Sequence, residues 1–160
     1  MADRELEARV RRLEDIEALK QLKHRYAALC DEDYDADRLA PLFTSDAIWD
    51  GGVMGRYEGR EAIRRFFSGA HETVPFAIHH VSNPILEVDG DQATGQWYLW
   101  QPCVFAGKGT DQAIWMAGRY ADTYRREDGV WRFEHVQIEL RVLSPYEAGW
   151  AGVRMMEVPT

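Results

Sequence analysis

The chain has 160 residues, enough for one domain with a core of its own, and a formal net charge of −8. Its basic pairs (Arg11-Arg12, Arg64-Arg65, Arg125-Arg126) are each diluted by neighbouring acids, which argues against a phosphate-tracking surface and hence against nucleic acid or an acidic membrane as partner. No apolar run reaches the roughly 20 residues that span a bilayer, the charged N-terminus does not read as a secretion signal, and two cysteines make no disulfide framework; a cytoplasmic protein is expected.

In chain order, the first third reads as a helix. Val10, Leu13, Ile16, Leu19, Leu22, Tyr26 and Leu29 recur every three or four residues as one apolar stripe. The acidic run "CDEDYDADR" (30–38) ends it, since Asp favours turns and helix starts over helix interiors. A short helix carrying Leu39, Leu42 and Phe43 is expected next. "AIWDGGVMGRYEG" (47–59) reads as a strand, a glycine turn and a second extended piece. "REAIRRFFSGA" (60–70) reads as a third helix, with Ile63, Phe66 and Phe67 inward.

From residue 76 the pattern becomes extended. Two runs are separated by Asp89-Gly90 and two more by Asp128-Gly129, a strong hairpin signal. Helices followed by an antiparallel meander argue for an α+β fold, a strongly curved sheet whose concave side is covered by helices, with a cavity between them. A single domain over 1–160 is expected. The tail, "SPYEAGWAGVRMMEVPT", is apolar enough to be expected over the cavity mouth or a neighbouring subunit, from about residue 145 onward.

No phosphate-cradling glycine loop, nucleophile elbow or zinc-binding H-E-x-x-H occurs, and the five histidines are scattered, so neither metal nor cofactor is expected. What remains is acid–base chemistry, in which a carboxylate fixes the tautomer of an imidazole and leaves its other nitrogen as the base. Adjacent His79 and His80 in "IHHVSNP" must point to opposite faces of a strand, and periodicity alone does not choose between them. Of the acids in 31–37, Asp31 stands nearest the apolar stripe.

The segments "LEDIEALKQLKHRYAALCDEDYD", "LAPLFTSDAIWDG", "YEGREAIRRFF", "IHHVSNP" and "GRYADTYRREDGVWRF" resemble the SnoaL-like branch of the nuclear transport factor two-like superfamily. That resemblance, over roughly 10–145, implies a cone-shaped α+β barrel whose N-terminal helices close a deep pocket. It is nearest to the Asp–His lyases: hexachlorocyclohexane dehydrochlorinase, scytalone dehydratase and bile-acid dehydratase. Their catalytic Asp and His fall on Asp31 and His79 here. Tyr26 matches a catalytic tyrosine of the bile-acid enzyme, Trp49 a pocket tryptophan of the dehydrochlorinase, and Arg141 lies close to an active-site arginine of the bile-acid enzyme. Two positions depart: Cys103 stands where scytalone dehydratase has a second histidine, and Tyr26 where the dehydrochlorinase has a lysine.

The resemblance therefore implies a cofactor-independent lyase acting on a small hydrophobic substrate, with His79, Asp31 and Tyr26 as catalytic residues. Isomerisation by the same proton shuttle, or ligand binding without catalysis, are the alternatives. Trp49, Phe67, Trp97, Leu99, Cys103, Trp115 and Arg141 are the expected substrate-binding set, although the tryptophans would serve equally well in packing or a subunit contact. The strand "QWYLWQPCVF" is apolar on both faces, so both faces should be covered. A homo-oligomer is expected, and the related lyases imply a trimer.

Overall fold

A computed structural model describes residues 2–158 of the protein. Helix α1 (Ala2–Asp31) is followed by the short α2 (Ala36–Leu39), strands β1 (Phe43–Asp50) and β2 (Arg56–Glu58), and helix α3 (Arg60–Thr73). Strands β3 (Phe76–Ala77), β4 (His80–Asp89), β5 (Gln92–Phe105), β6 (Gln112–Glu127) and β7 (Val130–Pro145) come next, and α4 (Gly149–Gly152) ends the sequence of elements. Phe43, read as part of the second helix, instead opens β1, because Pro41 lies in a single tight turn that ends at Leu42.

The seven strands form one curved, unclosed sheet in the order β2-β1-β7-β6-β5-β3, with β4 also pairing with β5. All neighbours are antiparallel except β1 and β7, which run parallel. The turn at Asp128-Gly129 has both residues at positive φ, the conformation a two-residue hairpin between right-twisted strands requires. The first hairpin turns one residue later than its Asp-Gly signal: Asp89 pairs with Gln92, leaving Gly90-Asp91 as the loop.

Alternation divides the sheet into two faces. Trp97, Leu99, Gln101, Cys103 and Phe105 of β5 and Ile114, Met116, Tyr120, Asp122 and Tyr124 of β6 point inward, where α1 and α3 cover them. Only the second half of the α1 stripe is used. Leu19, Leu22, Tyr26 and Leu29 are buried, whereas Leu6, Val10 and Leu13 are exposed. Among them lies a residue no apolar pattern flags. Lys23 is fully buried, its ammonium 2.8 Å from Asp122 and 3.2 Å from the centre of the Tyr120 ring. Asp122 also accepts from the Tyr124 hydroxyl at 2.9 Å, and that hydroxyl accepts from the Trp97 indole at 3.0 Å. Burial pulls the Lys23 amine below its ordinary pKa and pushes the Asp122 carboxyl above its own, each effect opposed by the partner's charge.

The outer face carries its own aromatic group. Trp100 and Trp115 stack with ring centres 5.2 Å apart, and Trp150 meets both edge-on. Tyr98, Trp100, Tyr146 and Trp150 are all more than one-third exposed. No helix among the described residues is long and apolar enough to cross a membrane.

Candidate active site

The C-terminal end of α1, the inner face of the sheet and α3 enclose a cavity of about 370 Å³. Its wall is largely aromatic: Trp49, Tyr57 and Phe66 pack ring on ring, with Trp49–Phe66 and Tyr57–Phe66 centres 4.5 and 4.3 Å apart, and Phe67 and Tyr34 continue the surface. Such a site excludes water and strengthens any polar contact within it.

Asp31 is the last residue of α1, placed where the backbone turns left-handed at Asp33 and Tyr34 and where Asp35 caps α2 by accepting from the Arg38 amide. His79 lies in the break between the two-residue β3 and the longer β4, which share one edge of β5. In that break its backbone amide donates to both oxygens of the Asp31 carboxylate, at 3.0 and 3.2 Å, and its Nδ1 lies 2.7 Å from Oδ1. The His79 side chain is 6% exposed and joins the cavity wall. An ionised carboxylate accepts only, so it selects the Nδ1–H tautomer and leaves Nε2 as the basic nitrogen. His80 is exposed and paired with Trp100, so the two histidines do face opposite ways.

Tyr26 also lines the cavity. Its hydroxyl accepts from the Trp49 indole at 2.9 Å, which leaves its own proton to donate, and burial holds its pKa well above the ordinary phenol value. Tyr26 is thus a neutral hydrogen-bond donor at neutral pH.

The expected substrate-binding set divides three ways. Trp49 and Phe67 line the cavity. Trp97, Leu99 and Cys103 point inward but are spent in the core beside it, Trp97 through its bond to Tyr124. Trp115 and Arg141 require correction. Trp115 is on the outer face because β6 turns Met116, not its neighbour, inward. Arg141 sits exposed at a register shift, where Ala117 pairs with Val142 and Gly118 with Leu140. The wall is completed by residues sequence reasoning did not single out for it: Cys30, Tyr34, Tyr57, Gln101, Met116 and Tyr120. Met116 and Tyr120 were one step of strand parity away. Beyond α4 the tail pairs Met155 with Leu143 and brings Val158 to the cavity wall, while Trp150 joins the outer aromatic group.

Among the described residues no three His, Cys, Asp or Glu side chains converge as metal ligands would.

Comparison with known proteins agrees with this architecture. A hexachlorocyclohexane dehydrochlorinase, LinA type 2, superposes with a TM-score of 0.78 at 26% identity, covering 91% of this chain and 95% of that one. A candidate scytalone dehydratase from Novosphingobium aromaticivorans gives 0.73 at 21% identity over 84% of this chain and 89% of that one, a likeness of fold alone. An uncharacterized protein of Mycobacterium tuberculosis strain H37Rv, Rv2910c, is 31% identical over 118 residues, 71% of this chain and 77% of the relative. The model of the SnoaL-like domain matches residues 11–137, and with that match, the curved sheet and the helix-covered cavity, the chain belongs to the SnoaL-like domain family.

Proposed function

We propose that the protein is a cofactor-independent lyase of the dehydratase type, acting on a small hydrophobic ring substrate held in the aromatic cavity. The observation that carries this reading is the 2.7 Å contact between His79 Nδ1 and Asp31 within the wall of that cavity. His79 Nε2 removes a proton from carbon, and Asp31 orients the ring and stabilises the imidazolium that forms. Tyr26 donates a hydrogen bond to an oxygen or to the departing group. The similarity to LinA dehydrochlorinase, whose name describes an elimination, supports the same reaction class.

The reading is tested by screening ring alcohols and halides for elimination with the native protein and with His79→Ala. Turnover that depends on His79 supports it, and equal turnover by the variant overturns it.

We further propose that the outer aromatic face seats another copy of the chain, in a trimer. Four exposed large aromatic side chains, Tyr98 and Trp100 of β5 with Tyr146 and Trp150 of the segment after β7, support this reading, since such a patch is otherwise left to water.

A further inference from the structure

The first turns of α1 are left uncovered by their own chain. Every side chain from Asp3 to Glu14 is exposed, and the first buried residue of the helix is Asp15, held by the Trp131 indole and the Arg126 guanidinium. The exposed stretch is about 18 Å of helix, and a lone helix of that length is only marginally stable in water. Leu6, Val10 and Leu13 form its apolar stripe and are 58%, 44% and 66% exposed. At 3.6 residues per turn Asp3, Glu7 and Glu14 fall in one line along one flank of that stripe, and Arg9 borders the other flank. This part of α1 is therefore an apolar ridge with an acidic edge.

The outer face of the sheet carries a complementary surface. Tyr98, Trp100 and Trp150 line a groove of about 520 Å³ there, together with Arg141 and Arg154, and no acid lines it. Among the described residues neither of these arginines is in an ion pair, whereas Glu139, two residues before Arg141, is held by Arg119 at 2.8 Å. Ridge and groove belong to different sides of the fold, since α1 is one continuous helix packed on the inner face. The groove of one chain can receive the ridge only from another copy.

We propose that the first turns of α1 of one copy lie in the Trp100–Trp150 groove of the next, with Leu6, Val10 and Leu13 on the aromatic rings and Asp3, Glu7 and Glu14 against Arg141 and Arg154. This rests on the trimer reading above and names what the partner copy brings to the aromatic face. A helix that seats its apolar face in a groove is anchored at positions i, i+4 and i+7, the spacing of Leu6, Val10 and Leu13. Seating it covers both apolar surfaces that the single chain leaves in water, and the one-sided acidic edge fixes which way round the helix lies. Each copy gives a helix to one neighbour and receives one from the other, a head-to-tail contact that closes into a ring.

Sedimentation equilibrium of the whole chain tests this. The native protein is expected to be a trimer, and Leu6→Glu/Val10→Glu a monomer with native circular dichroism, because both positions are exposed in the single chain. Arg141→Glu/Arg154→Glu is expected to raise the concentration at which the trimer dissociates about tenfold or more, and Asp3→Arg/Glu7→Arg/Glu14→Arg in that same chain to lower it again by a similar factor. A trimer built sheet against sheet would gain nothing from charges on α1. A native trimer that Leu6→Glu/Val10→Glu leaves intact overturns the seating of the helix while the trimer reading stands, and so does absence of the charge rescue. A native monomer or dimer overturns the trimer reading and the ring with it. Should Leu6→Glu/Val10→Glu not fold, the charge rescue decides alone.

Discussion

Asp31 holds His79 at two points, accepting from its backbone amide at 3.0 and 3.2 Å and lying 2.7 Å from its ring nitrogen. The carboxylate therefore positions the residue as well as the tautomer. One oxygen serves the ring and both serve the backbone, which closes the gap between β3 and β4 by a side chain from the end of α1.

The first prediction follows from that grip. His79→Ala leaves the backbone contact to Asp31 in place, so its circular dichroism should match the native protein while kcat falls about 10²–10⁴-fold. Asp31→Asn presents an amide N–H₂ where two acceptors are needed. It should lower kcat over the same range and cost about 1–3 kcal/mol of stability in urea unfolding. Long-range ¹⁵N–¹H correlation should show His79 protonated at Nδ1 when neutral, and a shift in the tautomer balance in Asp31→Asn.

The buried pair on the far side of the Tyr120 ring gives a second. Lys23→Met strands the Asp122 carboxylate at 0% side-chain exposure. The variant should lose about 3–5 kcal/mol in urea unfolding, and Lys23→Met/Asp122→Leu should regain most of that. A double variant no more stable than the single would show that the pair contributes beyond mutual neutralisation.

Alkaline stability is the third. Burial raises the folded-state pKa of Tyr26, Tyr34, Tyr120 and Tyr124, of Cys30, and of Cys103 to about 12. A group whose pKa is raised on folding contributes fully below its unfolded pKa and loses that contribution as pH climbs toward the folded value. Stability should therefore begin to fall above pH 9, the unfolded thiol value, and fall faster once the phenols of the unfolded chain ionise near 10.0. Each titrating group adds about 1.4 kcal/mol per pH unit to the slope. Lys23, with its pKa lowered, works in the opposite sense below 10.5, but it is one group against six. Urea midpoints between pH 8 and 11 check this, and a flat profile would contradict the burial of these hydroxyls and thiols.

Thiol reactivity supplies the fourth. Cys30 and Cys103 are both free and buried, with the thiolate disfavoured at each. Ellman's reagent at pH 8 should label neither in the native protein except at the rate of unfolding, and both at once in denaturant. Fast native labelling of one would place that thiol in reach of solvent.

The fifth concerns assembly. Trp100→Glu places a charge in the Trp100–Trp115–Trp150 cluster. If another copy covers this face, sedimentation equilibrium should show a trimer for the native chain and monomer for the variant. Identical masses would free the patch from any role in assembly.

Much of this site could be read in the sequence, and the failures have physical causes. Asp31 stood out as the acid nearest the apolar stripe, whereas His79 was chosen over His80 by the family resemblance, since alternation alone left the two equal. Trp115 and Arg141 were misplaced for different reasons. β6 carries large apolar residues on both faces, so alternation does not say which face is inward, and the register shift at Arg141 changes parity within one strand. Lys23 was invisible because its partner lies 99 residues away, and only the folded sheet puts Asp122 beneath α1.

The parallel pairing of β1 with β7 sets an order of events in time. β4 to β7 are neighbours in sequence and can zip as successive hairpins, whereas β1 must wait for Phe43 to find Phe133. Loop-closure entropy makes that encounter the slow one. A chain emerging from the ribosome would thus hold its N-terminal helix undocked until the last strand is made. A product truncated or stalled before β7 would keep the hairpins up to β6 but offer β1 no strand to dock on, so its sheet would stay incomplete.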